Sequence, residues 1–341
     1  MKKVIVTGGT GYIGSHVIVD LVQKGYKPVI LDNLSNSEKS VLDGIEKIID
    51  QKVQFAEIDI CNKEGVLDFF RTHNDCVGVI HFAALKSVGE SVDHPLKYYQ
   101  NNITGLVNIL EGMKANAIHN LIFSSSCTVY GEPDALPVTE LSPIKPATSP
   151  YGHTKQIGEE IIQNYINSNP DAKAISLRYF NPIGAHESAH IGELPKGVPS
   201  NLMPYITQTA IGLRECLSVF GDDYKTHDGT AVRDYIHVCD LADAHTMSLE
   251  KIIKESNQEA HSIYNLGVGT GYSVMDVIHS FERSSSQKLN YKIASRRAGD
   301  VSAIYADNTK VTDELGWIAR FSLDDMTASA WKWEKSLKNR K

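Results

Sequence analysis

The stretch VTGGTGYIG, residues 6–14, constrains the fold more than any other part of the chain. Apolar residues Val4 to Val6 lead into it, and a helix-spaced run from Ile13 to Lys24 comes after it. It contains a G-x-G-x-x-G, Gly9 to Gly14, and glycines at three-residue spacing, Gly8, Gly11 and Gly14. A strand that turns on glycine into a helix lets the backbone approach a pyrophosphate, with the helix N-terminus facing the phosphates. The motif gains specificity from an acid about 20 residues further on. Asp32 supplies it, closing the apolar run Val29 to Leu31, 18 positions after Gly14. A carboxylate there suits both adenosine ribose hydroxyls and repels a 2′-phosphate. Asn33 to Ser37 bring no cation to offset it, so NAD is expected over NADP. A structural glycine turn with an unrelated acid is the weaker reading.

Further short apolar runs at 77–84, 120–126 and 174–180 alternate with helix-like segments at 96–115 and 151–167. Alternation of this kind predicts an α/β fold, a Rossmann-type doubly wound parallel sheet. Beyond Phe180 prolines and glycines mark loops up to Pro204, and shorter elements come after them. The expected division is an NAD-binding domain over 1–180 and a smaller α/β substrate-binding domain over 181–341, partly interleaved with the first. A length of 341 residues allows about two domains. The net charge of −7 argues against a nucleic-acid or anionic-membrane partner. No apolar run approaches the ~18 residues of a membrane span, and the run before Gly8 is too short for a signal-peptide core. Five scattered cysteines without Cys-x-x-Cys suit a reduced, cytoplasmic protein rather than a disulfide frame or zinc site. His186 and His190 read as polar loop histidines, so no metal is expected.

SPYGHTK, residues 149–155, places Tyr151 and Lys155 four positions apart. Ser149 suits an N-cap and Pro150 the first helical position, which makes the two side chains neighbours on one helix face. A helix N-terminus and an ammonium both favour phenolate over phenol. Among 15 tyrosines about one such pair arises by chance, so the surroundings must decide.

The glycine loop, SSSCTVYG (124–131) and the Tyr151/Lys155 pair together resemble the extended short-chain dehydrogenase/reductase superfamily. HFAALKSVGES (81–91), YYQNNITG (98–105), RYFNPIGAH (178–186) and PSNLMPYI (199–206) resemble its UDP-glucose 4-epimerase family. So do VFGDDYKTHDGTAVRDYIHVCDLADAH (219–245) and RRAGDVSAIYAD (296–307). The resemblance runs from near residue 1 to about residue 317. It implies that Gly8, Gly11, Tyr12, Ile13 and Gly14 bind the NAD pyrophosphate, Asp32 and Asn33 the ribose, and Asp59 and Ile60 the adenine. Phe82, Ala83, Lys86, Asn101 and Phe180 would line the cofactor and its nicotinamide end. Ser126, Tyr151 and Lys155 would be catalytic, and Asn181, Asn201, Phe220, Arg233, Arg297 and Asp300 would hold the UDP-sugar. The implied activity is interconversion of UDP-galactose and UDP-glucose through a 4-keto sugar on tightly bound NAD, within galactose metabolism, by a homodimer meeting along segments 96–115 and 151–167.

Several residues keep a plainer reading. Lys86 could be a solvated loop lysine, Arg233 a partner of Asp234, and Arg296 and Arg297 surface charges of which one faces phosphate. Cys127 reads as a small buried residue. Ile304 stands where glucose/galactose-restricted relatives often carry a tyrosine and permissive ones a small residue. It predicts room for a 2-N-acetyl group, against a wall residue of a pocket its neighbours fill. A 4,6-dehydratase would need an acid and a base after Ser126, where Cys127-Thr128 stand. The remaining alternatives are another nucleotide-sugar epimerase and a non-catalytic NAD-sensing regulator.

Overall fold

The computed structural model describes residues 1–254, 259–297 and 301–338. Its first half alternates strand and helix: β1 (Lys3–Thr7), α1 (Tyr12–Gln23), β2 (Lys27–Asp32), α2 (Ser40–Ile49), β3 (Gln54–Glu57), α3 (Lys63–Thr72) and β4 (Cys76–His81). Next come α4 (Val88–Asp93), α5 (Pro95–Tyr99), a π-turn (Gln100–Thr104), α6 (Gly105–Ala115), β5 (Asn120–Ser126), a 3₁₀ turn (Cys127–Tyr130), α7 (Pro150–Ser168) and β6 (Lys173–Tyr179). The helix expected over 96–115 thus runs from Pro95 to Ala115 with a π-helical stretch inside it.

The second half contains β7 (Asn181–Ile183), α8 (Leu202–Ala210), β8 (Leu217–Phe220), β9 (Val232–His237), α9 (Val238–Lys254), β10 (His261–Leu266) and β11 (Gly271–Ser273). It closes with α10 (Val274–Ser285), β12 (Tyr291–Ala294), β13 (Ala303–Ile304), α11 (Thr309–Leu315) and α12 (Leu323–Lys338).

Seven strands form one parallel sheet in the order β10-β6-β5-β4-β1-β2-β3. Its strands read as unbroken apolar runs because both faces are covered. The period of two then deals alternate residues to two cores. Val4, Val6, Ile30, Ile80 and Ile122 enter one, with residues of α1 and α9. Ile5, Val29, Leu31, Val79, Leu121 and Phe123 enter the other, with residues of α3, α6 and α7. The sequence order reverses at β1, between β2 and β4, and the crevice beyond the carboxyl ends of such strands is where ligands bind open α/β sheets. A third core gathers Met203, Ile206, Phe281, Leu323 and Trp331 beneath the smaller sheets, β11-β9-β13 with β7 on β9, and β12-β8. The chain returns to the large sheet late: α9 lies against α1, and β10 pairs with β6. Strands β3 and β10 were not apparent from sequence; Gln54 and Glu57 are exposed at an edge, and β10 begins with His261-Ser262.

Candidate active site

The glycine loop is closed by backbone contacts. Gly8 adopts φ +70°, a conformation that favours glycine, and its N–H donates to Leu31 O at 2.9 Å. A Cβ on Gly14 would lie 2.3 Å from Gly8 O, and one on Gly8 2.8 Å from Ala83 N. Gly11 caps α1 without a side-chain hydrogen bond, and the first turn carries no acid, so the leading N–H groups remain for an external anion. Tyr12 Oη donates to Gly184 O at 2.7 Å, tying this turn to the loop after β7. Ile13 packs on the core. Asp32 is fixed by the N–H groups of Thr10 (3.1 Å) and Leu34 (2.9 Å), and Asn33 Nδ2 donates to Asp59 Oδ2 at 3.0 Å. Ile60 is buried against Gly105, so its side chain is committed to the core. A glycine cradle that any Cβ would fill, an uncapped helix start and a carboxylate closing β2 together fit a dinucleotide.

At the end of β4, Ala83 N–H donates to Thr7 Oγ1 (3.3 Å) and Phe82 packs on His245 with ring centres 4.7 Å apart. Lys86 Nζ reaches Glu193 Oε1 at 3.4 Å, and Asn201 Nδ2 donates to the same oxygen at 2.6 Å. Asn101, in the π-turn, donates to Asn102 Oδ1 at 3.0 Å.

Ser149 caps α7 through Gly152 N–H (3.1 Å), with Pro150 in first place, which turns Tyr151 and Lys155 onto the edge of β5. Lys155 Nζ donates to Ser124 O at 2.6 Å and lies 5.9 Å from the centre of the Tyr151 ring. Both side chains are buried. Burial pushes the Tyr151 phenol well above its ordinary value; Tyr179 adds to this, while a hydrogen bond with Ser126 opposes it. Desolvation is the largest of these causes and favours the phenol over the phenolate. Burial also lowers Lys155 to about 8, against Glu159, which raises it.

The other side of the cleft comes from short, distant elements. Arg233 on β9 stands in register with Ile304 on β13 and lies close enough to Cys127 to lower its thiol, although burial holds that thiol at about 12. Asp234 has its carboxylate turned to the N–H groups of Val268 (2.8 Å), Gly269 (3.1 Å) and Ala306 (3.1 Å). The two neighbouring arginines part company. Arg296 pairs with exposed Asp223 at 2.6 Å, whereas Arg297 lies 4.5 Å over the Phe220 ring. Ile304 is buried with Cys127, Val129, Tyr130 and Phe180, and Asn181 opens β7 beside Tyr235. Asp300 lies outside the described residues.

Sequence reasoning missed Glu193 and Lys196, whose side chains reach Lys86 and the loop after β2. Lys196 Nζ donates to Leu34 O (2.8 Å) and Ser35 O (3.1 Å) of the loop after β2. It also missed a buried pair, Glu159 and Arg178. The visible signal there is an acid four residues beyond Lys155 and an arginine inside an apolar strand.

A doubly wound sheet with this glycine loop and this Ser-Tyr-Lys edge defines an extended short-chain dehydrogenase/reductase, and the GDP-mannose 4,6 dehydratase family model matches residues 5–330. A UDP-glucose 4-epimerase of Dictyostelium discoideum is 49% identical over 97% of this chain and 95% of its own. The UDP-glucose 4-epimerase of Stenotrophomonas maltophila, solved with NAD and formylated UDP-arabinopyranose, is 44% identical, covers 100% of both chains and superposes with a TM-score of 0.96. That of Bifidobacterium longum, in complex with NAD⁺ and UDP, is 43% identical over 99% of both chains with a TM-score of 0.94. The chain belongs to the UDP-glucose 4-epimerase family.

Proposed function

We propose that this chain interconverts UDP-galactose and UDP-glucose, an isomerisation at sugar C4 that uses tightly held NAD. The observation that carries the reading is Lys155 held against Ser124 O between Tyr151 and the β5 edge, beside an uncapped glycine-loop helix. NAD, when bound, supplies reversible hydride exchange at C4 through a 4-keto sugar, with no net oxidation, together with a positive ring. Gly8, Gly11, Tyr12, Ile13 and Gly14 would hold the pyrophosphate, Asp32 and Asn33 the ribose, and Asp59 and the backbone of Ile60 the adenine. Phe82, Ala83, Lys86, Asn101 and Phe180 line the nicotinamide end. Tyr151 takes and returns the O4 proton, Ser126 hydrogen-bonds O4, and Lys155 stabilises the phenolate. A base near neutrality needs this phenol about three units below its reference value near 10, roughly 4 kcal/mol, and the rise that burial causes has to be overcome as well. Asn181, Asn201, Phe220, Arg233, Arg297 and Asp300 hold the nucleotide-sugar. Residues 1–180 thus serve the cofactor and 181–341 the UDP-sugar, with α9 and β10 returned to the first unit.

Dehydration is disfavoured by the residues after Ser126. They form a 3₁₀ turn that opens with the Cys127 thiol, held near 12 by burial, and Thr128, neither of them an acid or base near neutrality. A non-catalytic NAD sensor would not need the Ser126, Tyr151 and Lys155 arrangement. Purified protein given UDP-galactose without added NAD should form UDP-glucose by NMR. No conversion, even with NAD added, overturns the reading.

The site also accepts UDP-N-acetylglucosamine and UDP-N-acetylgalactosamine, on this proposal, because isoleucine at 304 leaves more space than tyrosine. Wild type should convert UDP-N-acetylgalactosamine faster than Ile304→Tyr; equal rates refute it. We further infer a cytoplasmic homodimer. No described helix is long and apolar enough to cross a membrane. Val88, Val92, Leu96 and Val107 expose an apolar face along α4 to α6 that a second copy would cover; a monomer by light scattering would refute the dimer.

A further inference from the structure

The stripe of Tyr151 and Lys155 on α7 has a third member. Glu159 lies four residues beyond Lys155, and positions so spaced share a helix face. It is 8% exposed, and its carboxylate is fully engaged. Arg178 donates Nε to Oε1 at 2.9 Å and Nη2 to Oε2 at 2.6 Å, and Ser125 Oγ donates to Oε1 at 2.6 Å. Ser125 and Arg178 face each other in register across β5 and β6, one position before Ser126. Arg178 continues through Nη1 to Tyr130 Oη (3.1 Å), and Tyr130 donates to Asn265 Oδ1 (2.6 Å).

A buried ion pair is a poor device for stability alone, since well-packed apolar residues often do as well or better. The arrangement of charge suggests another purpose. The titratable and charged groups that bear on Lys155 and its neighbour Tyr151 are Glu159 on their own helix, His81 on β4, Tyr98 on α5, Cys127 after β5 and Tyr179 on β6, with Arg178 on β6 paired to Glu159. His81 is held neutral by burial. Among these described residues Arg178 holds the Glu159 carboxylate directly, and Lys155, one helical turn away, feels its charge.

We propose that Glu159 is a positioning residue for the epimerisation. Clamped by Arg178 and Ser125, it keeps Lys155 charged beside Tyr151 and fixes the Ser125-Ser126 edge of β5 against α7. The inference rests on the function proposed above. Burial draws the Lys155 proton off toward pH 8, and Glu159 holds it on. A lysine whose value is lowered is charged below that value and neutral above it. Loss of the ammonium removes phenolate stabilisation, so Lys155 sets the alkaline limb of the kcat profile.

The test is kcat against pH for wild type, Glu159→Gln, Glu159→Asp and the double variant Glu159→Gln/Arg178→Met, with Tm and bound NAD measured on each. In Glu159→Gln the alkaline limb should move acidward by about one pH unit, a charge effect of roughly 1.4 kcal/mol. Its kcat should therefore fall about tenfold more on the alkaline side than well below the limb. The double variant leaves no lone buried charge, so it reports even where the single variant does not fold; with the Arg178 charge gone too, its limb should still lie acidward of wild type, by less than in Glu159→Gln. Glu159→Asp, which retains the carboxylate, should restore the limb. A wild-type limb in any folded variant lacking the carboxylate, with only Tm lowered, overturns the proposal; so does failure of both such variants to fold, which makes the pair structural. Failure of the underlying function shows differently, as a wild type that converts nothing at any pH.

Discussion

The glycine-loop end of the cleft and its nucleotide-sugar end are held by different means. The first is mostly backbone: Gly8 bonded to Leu31, Gly14 pressed on Gly8 O, and two N–H groups on Asp32, all around the carboxyl ends of β1 and β2, inner strands of a seven-stranded sheet. The second is mostly side chain, carried on strands of three, four and two residues, β7, β8 and β13. Phe220 and Arg297 meet by stacking across 77 residues of chain. Backbone contacts leave no tolerance for added atoms, whereas side-chain contacts can be exchanged with modest loss. Changes of selectivity are therefore tolerated better at the second end, where Ile304 is buried beside Phe180.

The largest effect is expected at Tyr151, the proposed base. Tyr151→Phe keeps the buried ring but removes the proton acceptor, so kcat should fall about 10²- to 10⁴-fold while bound NAD is unchanged. A loss below tenfold would remove Tyr151 from the base role. Gly14→Ala probes the glycine end by itself. Its Cβ would sit 2.3 Å from Gly8 O, and relief needs a backbone shift costing about 1–3 kcal/mol. Tm and NAD content should drop together, with the nucleotide-sugar end intact by UDP binding. Full NAD content in the variant would mean that α1 need not approach the loop so closely.

The same contrast explains how much could be read from the chain. The glycine loop, Asp32 and the Tyr151 helix are local: a strand, a turn and a cap lie within a few residues and carry their own signals. Two kinds of information were not local. Burial set the direction of the Tyr151 phenol, and no spacing of Tyr and Lys reveals how much water the fold removes. The division of Arg296 from Arg297 depended on Asp223 and Phe220, about 75 residues upstream. Strand β10 pairs with β6 across a long excursion, so its place was fixed by topology rather than by its own pattern.

The smallest effect is expected where the two ends touch. Lys196 belongs to the loop segment between β7 and α8, yet its ammonium sits on Leu34 O and Ser35 O, carbonyls just beyond Asp32. The neighbouring Glu193 meets Lys86 from the same segment, and Trp333 Nε1 pins its backbone carbonyl at 2.8 Å. Side-chain contacts of the second kind thus fasten the backbone-built end shut. Because Lys196 is exposed, each hydrogen bond contributes little, on the order of 1 kcal/mol or less. Lys196→Met should therefore release NAD about two- to tenfold faster and keep its kcat when NAD is in excess. Unchanged release would mean that the glycine end retains its cofactor without help, and that the two ends are independent in this respect.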